Sequence, residues 1–343
     1  MTGCHSPPVQ PSAKPAIKPS GFVTDQRTSE EDLDIPPELV LLPPNKDLPV
    51  SSFSEIWAYL VSDREQALNT DFSISDLCYF GAELDSYGKL ISIPNIKKVS
   101  SFTGRVHLVA ACNGRALTHF VLAEGSPERK ALIKDLLEAV KPFHGLQIDF
   151  EYVLPKDGEA FLSFLKELRQ GLGQKILSVA LPARTRALSE DVYDYAKIKP
   201  IADRILIMAY DEHWSTSKPG PIASMGWCQR VAKYAMETIG TEKLIMGLPF
   251  YGRSWGNLEP NRAYLFSGIE KILQDQNIGE VNRENGIPTF RYETALSVIV
   301  YFEDAYSLSA RLEMYKKLGV NMAGFWRLGQ ETPAFWSLIQ LNN

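Results

Sequence analysis

Gly145-Leu146-Gln147-Ile148-Asp149-Phe150-Glu151 reads as a short strand in which Leu146, Ile148 and Phe150 alternate with Gln147, Asp149 and Glu151. Alternate side chains of a strand share a face, about 6–7 Å apart, so the three polar groups line one side and the three apolar ones the other. The apolar side needs an apolar partner, which a layer of helices supplies. A strand of a parallel sheet is covered on both faces and is ordinarily almost wholly apolar. Two carboxylates on its second face are therefore costly to bury, and packing gives no reason for them. They fall at the C-terminal end of the strand, where (β/α)8 barrels assemble their active sites. An exposed edge strand with a solvated polar face would alternate in the same way, but Ile148 and Phe150 flank the acids and a helical stretch follows.

Working outward, strand-like runs recur at Glu55–Leu60, Asp76–Leu84, Val106–Asn113, Ile176–Ala183, Arg204–Asp211, Lys243–Gly252 and Met322–Gly329, which with Gly145–Glu151 makes eight. Between most of them lie stretches with apolar residues three and four apart, clearest at Pro127–Phe143, Glu159–Leu172, Trp227–Ile239 and Leu308–Leu318, with a last helix around Pro333–Ile339. Alternating β and α elements imply a parallel sheet with right-handed crossovers, and eight units imply its closure into a (β/α)8 barrel over residues 53–343. A doubly wound open sheet is the competing α/β architecture, but the Gly-rich phosphate loop is missing. The stretch from Ser254 to Asp304 breaks the rhythm with a short helix around Ser267–Gln274 and strand-like Thr289–Tyr292 and Leu296–Phe302. It predicts a short insertion between strands 7 and 8.

The first 52 residues behave differently. Ten of the 22 prolines lie there among Ser, Lys and acidic residues, a composition that reads as a disordered tether. The rest of the 343-residue chain has ordinary globular composition, 45% hydrophobic and 22% charged overall. A net charge of −5 without a basic cluster argues against a nucleic-acid partner. No apolar run is long enough to span a bilayer. Cys4, Cys78, Cys112 and Cys228 lack metal-ligand spacing, so the sequence predicts neither a zinc site nor a disulfide framework, and Cys78 and Cys112 read as buried thiols. His107, His119 and His213 are not grouped as ligands, and Glu303-Asp304 reads as the acidic start of a helix.

The stretch at 145–151 resembles the D-G-x-D-x-D-x-E signature of glycoside hydrolase family 18, the chitinase family, with Asp149 and Glu151 as its last two acids. Two positions depart from it: His144 replaces the first Asp and Gln147 the second. An amide at the second position also occurs in the family's spore-cortex-lytic branch. Met208-Ala209-Tyr210-Asp211 resembles the family's M-x-Y-D, Gly247-Leu248-Pro249-Phe250-Tyr251-Gly252-Arg253 its G-x-P-x-Y-G-R, and Gly324-Phe325-Trp326 the strand that supplies its tryptophan floor. Each is short, but all three end predicted strands in the family's order. Val300–Ala305 and Phe325–Glu331 look like the cortex-lytic branch, so the resemblance favours a peptidoglycan-type glycan over crystalline chitin.

The resemblance implies retaining, substrate-assisted hydrolysis of a β-1,4 bond next to N-acetylglucosamine, without metal or organic cofactor. Glu151 would be the acid, Asp149 would orient the substrate's 2-acetamido group, and Tyr210 would bond its carbonyl. Trp326 would stack under the sugar, with Asp211, Tyr251 and Arg253 as further contacts and Gln147 hydrogen-bonded to Asp149. A chitinase-like lectin on the same barrel is the alternative; such proteins typically lack the acid, which Glu151 supplies here. Thr2-Gly3-Cys4 resembles the end of a bacterial lipobox, which makes Cys4 a candidate lipid-bearing residue and the chain an exported protein of the cell envelope or exterior; a monomer is the separate expectation for its assembly.

Overall fold

Eight parallel strands close into a ring in the computed structural model, which describes residues 48–256, 261–293 and 297–342. Numbering only the barrel strands, these are β1 (Glu55–Val61), β2 (Asp76–Leu84), β3 (Arg105–Ala111), β4 (Gly145–Asp149), β5 (Ile176–Pro182), β6 (Arg204–Met208), β7 (Leu244–Pro249) and β8 (Met322–Trp326). Each pairs with the next, and β8 pairs back with β1, so no edge is left. The eight expected strands are all present, most of them ending a few residues sooner than the apolar runs do.

Strand sequence decides which side chains fill the ring. The apolar cluster inside it takes Trp57, Tyr59, Cys78, Val109, Ala180, Leu206, Ile245 and Met322, with contributions from every strand but β4. β4 is buried along its whole length, yet its apolar residues Leu146 and Ile148 point to the outer core under the helices. Its inward positions are Gln147 and Asp149. The helices cover the outside: Pro127–Ala139, Gly158–Leu172, Met225–Thr238 and Ala305–Lys317. Gly158–Leu172 shows why, burying Phe161, Leu162, Phe164, Leu165, Leu168 and Leu172, a stripe at spacings of three and four that packs behind β4.

The insertion is more complete than its length suggests. Five short antiparallel strands between Gly252 and Tyr301, with the helix Phe266–Asp275, enclose a core of Ile269, Phe290, Val300 and Phe302. Tight turns make this economical: Asn285 and Gly286, at φ 50° and 82°, join Asn282–Glu284 to Ile287–Glu293 in two residues. Leu296 lies outside the described residues. Asp304 caps the helix Ala305–Lys317 through a reciprocal pair of bonds with Ser307, as an acid at a helix start should. Glu303 does not share that role; it is fully buried and pairs with Arg311 at 3.0 Å.

At the N-terminal side, Ser51–Phe53 pairs in parallel with Ile339–Leu341, and the Pro49 carbonyl accepts from Ser309 at 3.3 Å. Folded structure thus includes residues 48–52, the last of the segment expected as a tether. The remainder of that segment, Cys4 included, lies outside the described residues.

Candidate active site

The ladder that holds β4 stops at Asp149, opposite Ala111 of β3. Asp149 is buried inside the mouth of the barrel, and Glu151, two residues beyond the strand, is exposed at the rim. One layer below Asp149, Gln147 is fully buried. Its carbonyl oxygen accepts from the Tyr59 hydroxyl of β1, and its amide donates to Ser178 Oγ at 3.2 Å. The expected bond from Gln147 to Asp149 is therefore not made. Side chains two apart on a strand stand one above the other, and the amide reaches sideways to β5, where Ser178 is its register partner. From that depth Gln147 supports the site's floor. His144, the other departure from the signature, lies before β4 at the far end of the barrel, where Nδ1 accepts from Val106 N at 3.0 Å.

Asp149 Oδ1 has no hydrogen-bond partner among the described residues. Burial, and then the neighbouring Glu151 charge, raise the Asp149 carboxyl well above the ordinary carboxylate range. Glu151 is raised as well, first by the water that the cleft walls withhold and then by Asp211. The two acids thus titrate as a pair that keeps a proton to higher pH than an isolated carboxyl would.

β6 and β7 supply the facing wall. Tyr210 follows β6, and burial together with Asp149, Glu151 and Asp211 keeps its phenol protonated as a donor. Its ring meets Tyr251 edge to face at 6.4 Å. Asp211 takes a φ of 57°, a left-handed conformation that Asp tolerates better than most residues. Its Oδ1 accepts from Tyr251 at 2.6 Å and Arg253 at 2.9 Å, so the Arg253 cation is committed to Asp211 and not to the Asp149–Glu151 pair. Trp326 ends β8, half-buried, its ring 5.1 Å from Tyr59 and 5.4 Å from Phe80. Among the described residues no three His, Cys, Asp or Glu side chains are grouped to hold a metal ion.

All eight residues predicted for the site gather at this end of the barrel. Tyr59, Phe80 and Ser178 are added to them. Tyr59 and Phe80 sit in apolar runs and carry no motif; Ser178 is a polar residue at an inward position of β5, the same signal that marked β4. The three predicted histidines make structural contacts: His107 with Asp76 at 2.7 Å, His119 with Asp157 at 2.8 Å, and His213 with the Pro221 carbonyl at 2.7 Å. Cys78 and Cys112 are buried free thiols.

The profile of "Glycosyl hydrolases family 18" matches residues 63–331. Among curated proteins the chain is 28% identical over 209 residues to the "Uncharacterized glycosylase YvbX" of Bacillus subtilis, covering 58% of this chain and 61% of that protein. It is 26% identical over 323 residues to the "Cortical fragment-lytic enzyme" of Bacillus subtilis, covering 86% of this chain and 74% of that protein. The crystal structure of the Bacillus cereus spore cortex-lytic enzyme SleL superposes with a TM-score of 0.76 at 23% identity, over 85% of this chain and 76% of that one, a likeness that speaks for the fold.

Proposed function

Since the chain belongs to glycosyl hydrolases family 18, we propose that it hydrolyses β-1,4 bonds next to N-acetylglucosamine in a peptidoglycan-type glycan, with retention and with help from the substrate's own acetamido group. The observation that carries this reading is the Asp149 carboxyl, buried beside Glu151 with one oxygen unpartnered and a protonated Tyr210 nearby. Burial and like charge hold a proton on the Asp149–Glu151 pair, and Glu151 at the rim gives it to the leaving oxygen. The acetamido oxygen attacks the anomeric carbon as that bond breaks, forming a cyclic oxazolinium ion. Asp149 accepts from the acetamido N–H through its open oxygen and balances the developing positive charge. Tyr210 donates to the acetamido carbonyl and holds it in line, a positional effect that can be worth several kcal/mol. Water, activated by the now basic Glu151, then opens the ring.

A direct carboxylate nucleophile would have to attack the face opposite the leaving group. Asp149 stands beside the acid on one strand, which favours the orienting role. The cortical fragment-lytic relative favours a cortex-type, peptidoglycan-like substrate. Glu151→Gln tests the reading: on N-acetylglucosamine oligomers with poor leaving groups kcat should fall about 10²–10⁴-fold with the fold intact. A thiazoline mimic of the cyclic ion should compete with substrate, and plain glucosides should not be cut. Wild-type turnover by the variant, or a sugar ester trapped on Asp149, would overturn the mechanism.

A further inference from the structure

The catalytic carboxyl assigned to Glu151 lies where the sheet no longer holds the chain. β4 is last paired at Asp149 on the β3 side and at Ile148 on the β5 side. Beyond that point the chain buries Phe150, exposes Glu151 and Tyr152, and buries Val153. Phe150 is anchored outside the barrel, stacked on Phe164 at 5.6 Å. The two exposed residues form a short excursion whose flanks must be fixed if the acid is to have one position.

One buried hydroxyl fixes both flanks. Tyr193, from the loop after β5, donates its hydroxyl to the Phe150 carbonyl at 2.7 Å and accepts from the Val153 amide at 3.0 Å. It therefore stands in for a missing ladder partner, one bond before Glu151 in the chain and one bond after Tyr152. The phenol is itself well held. Its ring meets Phe161 edge to face at 6.0 Å, and the Arg184 guanidinium lies 6.0 Å from its centroid. Arg184 grips Asp191 with two bonds, at 2.7 and 3.0 Å, and Asp191 Oδ1 accepts from the Tyr193 amide at 3.1 Å. The loop of one strand thus supports the excursion of its neighbour.

We propose that Tyr193 is a positioning residue for the reaction: its hydroxyl, bonded to the backbone on both sides of the Glu151–Tyr152 excursion, sets the place of the acid, and Arg184 and Asp191 set the hydroxyl. The proposal rests on the reading of Glu151 as the acid. It accounts for a buried phenol whose two bonds both fall on the segment that carries the acid. It also ties the proton affinity of Glu151 to the loop. The groups facing that carboxyl are Asp149 on β4, Asp211 and Tyr210 after β6, Tyr59 on β1 and Tyr193 itself. Releasing the excursion lets Glu151 move toward water and away from Asp211, and both changes lower its pKa.

Tyr193→Phe keeps the ring and removes both bonds. A displacement approaching 1 Å can cost about 10²-fold, so kcat should fall roughly 10- to 100-fold while KM changes little. Because the acid works protonated, the alkaline limb of kcat/KM should move to lower pH. Tyr195→Phe is the control: Tyr195 is equally buried, and its hydroxyl donates to the Pro182 carbonyl at 2.7 Å without touching the acid's segment. It should lower thermal stability and leave kcat and the limb in place. Should Tyr193→Phe not fold, Asp191→Asn loosens the phenol at one remove and should give a smaller loss of kcat with the same direction of limb shift. Wild-type kcat and limb in the Tyr193 variant, or in the Asp191 variant when that one is read, overturns the proposal. So does the same shift in Tyr195→Phe. Glu151→Gln run in parallel separates the two levels: if it stays active the acid assignment falls, and if it is dead beside a normal Tyr193→Phe only the positioning role falls.

Discussion

Gly247 carries a sharp test of how Tyr210 is placed. A methyl group added there would lie 2.7 Å from the Ile207 carbonyl oxygen and 3.1 Å from Tyr210 Cε1, respectively 0.7 and 0.3 Å short of the 3.4 Å at which ordinary contact begins. Ile207 is a backbone contact next to the end of β6, so it can yield only by bending the strand that delivers Tyr210. Gly247→Ala should therefore push Tyr210 by about half an ångström. Overpacking of this kind costs about 1–3 kcal/mol of stability. If a misplacement of 1 Å costs about 100-fold, half of it costs about tenfold in kcat. Steady-state kinetics on N-acetylglucosamine oligomers and thermal melts read both effects. Gly268→Ala supplies the reference, since it lies in the helix Phe266–Asp275 with its nearest neighbour at 3.7 Å. That variant should gain about 0.5–1 kcal/mol and keep its kcat. A Gly247→Ala protein that is destabilised but turns over at the wild-type rate would refute the link between this glycine and the pose of Tyr210.

Two further predictions concern the acids. Burial and the Glu151 charge raise the Asp149 carboxyl, so the folded state holds a proton that the unfolded chain releases, and this residue makes stability fall as pH rises above the ordinary carboxylate value. Asp149→Asn should then raise the melting temperature at pH 7 and flatten its fall with pH while abolishing turnover; a lower melting temperature at neutral pH would contradict the assignment. Burial works against the charge of Glu55 too, but hydrogen bonds from Arg204, Arg105 and Trp57 outweigh it and lower its pKa from 4.5 to about 2. That is worth about 3 kcal/mol, present above pH 4.5 and lost as pH falls toward 2, so denaturant titrations should show Glu55→Gln costing most near neutrality and progressively less in acid.

The barrel was legible because period-2 alternation and its exceptions are local. Gln147, Asp149 and Glu151 share a face whatever surrounds them, and a polar face on a strand otherwise fit for burial marks a site. Tyr210 and Trp326 were readable through the motifs they share with family 18, which fall at the ends of predicted strands. What stayed hidden depends on register. Gln147 bonds to Ser178 because the two are opposite each other across β4 and β5, and to Tyr59 because β1 lies across the ring, 88 residues away in sequence. No local pattern encodes either. Glu303 was misread for a different reason. It precedes a helix, as a capping acid would, but Arg311 two turns on sits among Leu308, Leu312 and Tyr315, an apolar face on which a cation needs an anion. Asn285-Gly286 carries a local hairpin signal as well, which the expectation of one short helix and two strands did not use.

The two ends of the barrel treat carboxylates in opposite ways. At the N-terminal end, Glu55 bonds to Arg204 at 2.7 Å and Arg105 at 2.8 Å, and Asp76 bonds to Arg105 and His107, both at 2.7 Å. Those acids, the first residues of β1 and β2, are matched by Arg105 and Arg204, the first residues of β3 and β6, and they serve to seal the ring. At the other end the nearby cation, Arg253, is bound to Asp211, and Asp149 keeps an unpartnered oxygen. An arginine placed against Asp149 would stabilise the fold by the same means that stabilise Glu55. It would also drive off the proton that Glu151 must deliver, and it would occupy the oxygen that an acetamido N–H must reach. The barrel thus contains the means of neutralising buried acids and withholds it from the Asp149–Glu151 pair, and on the proposed mechanism those unneutralised acids do the chemistry.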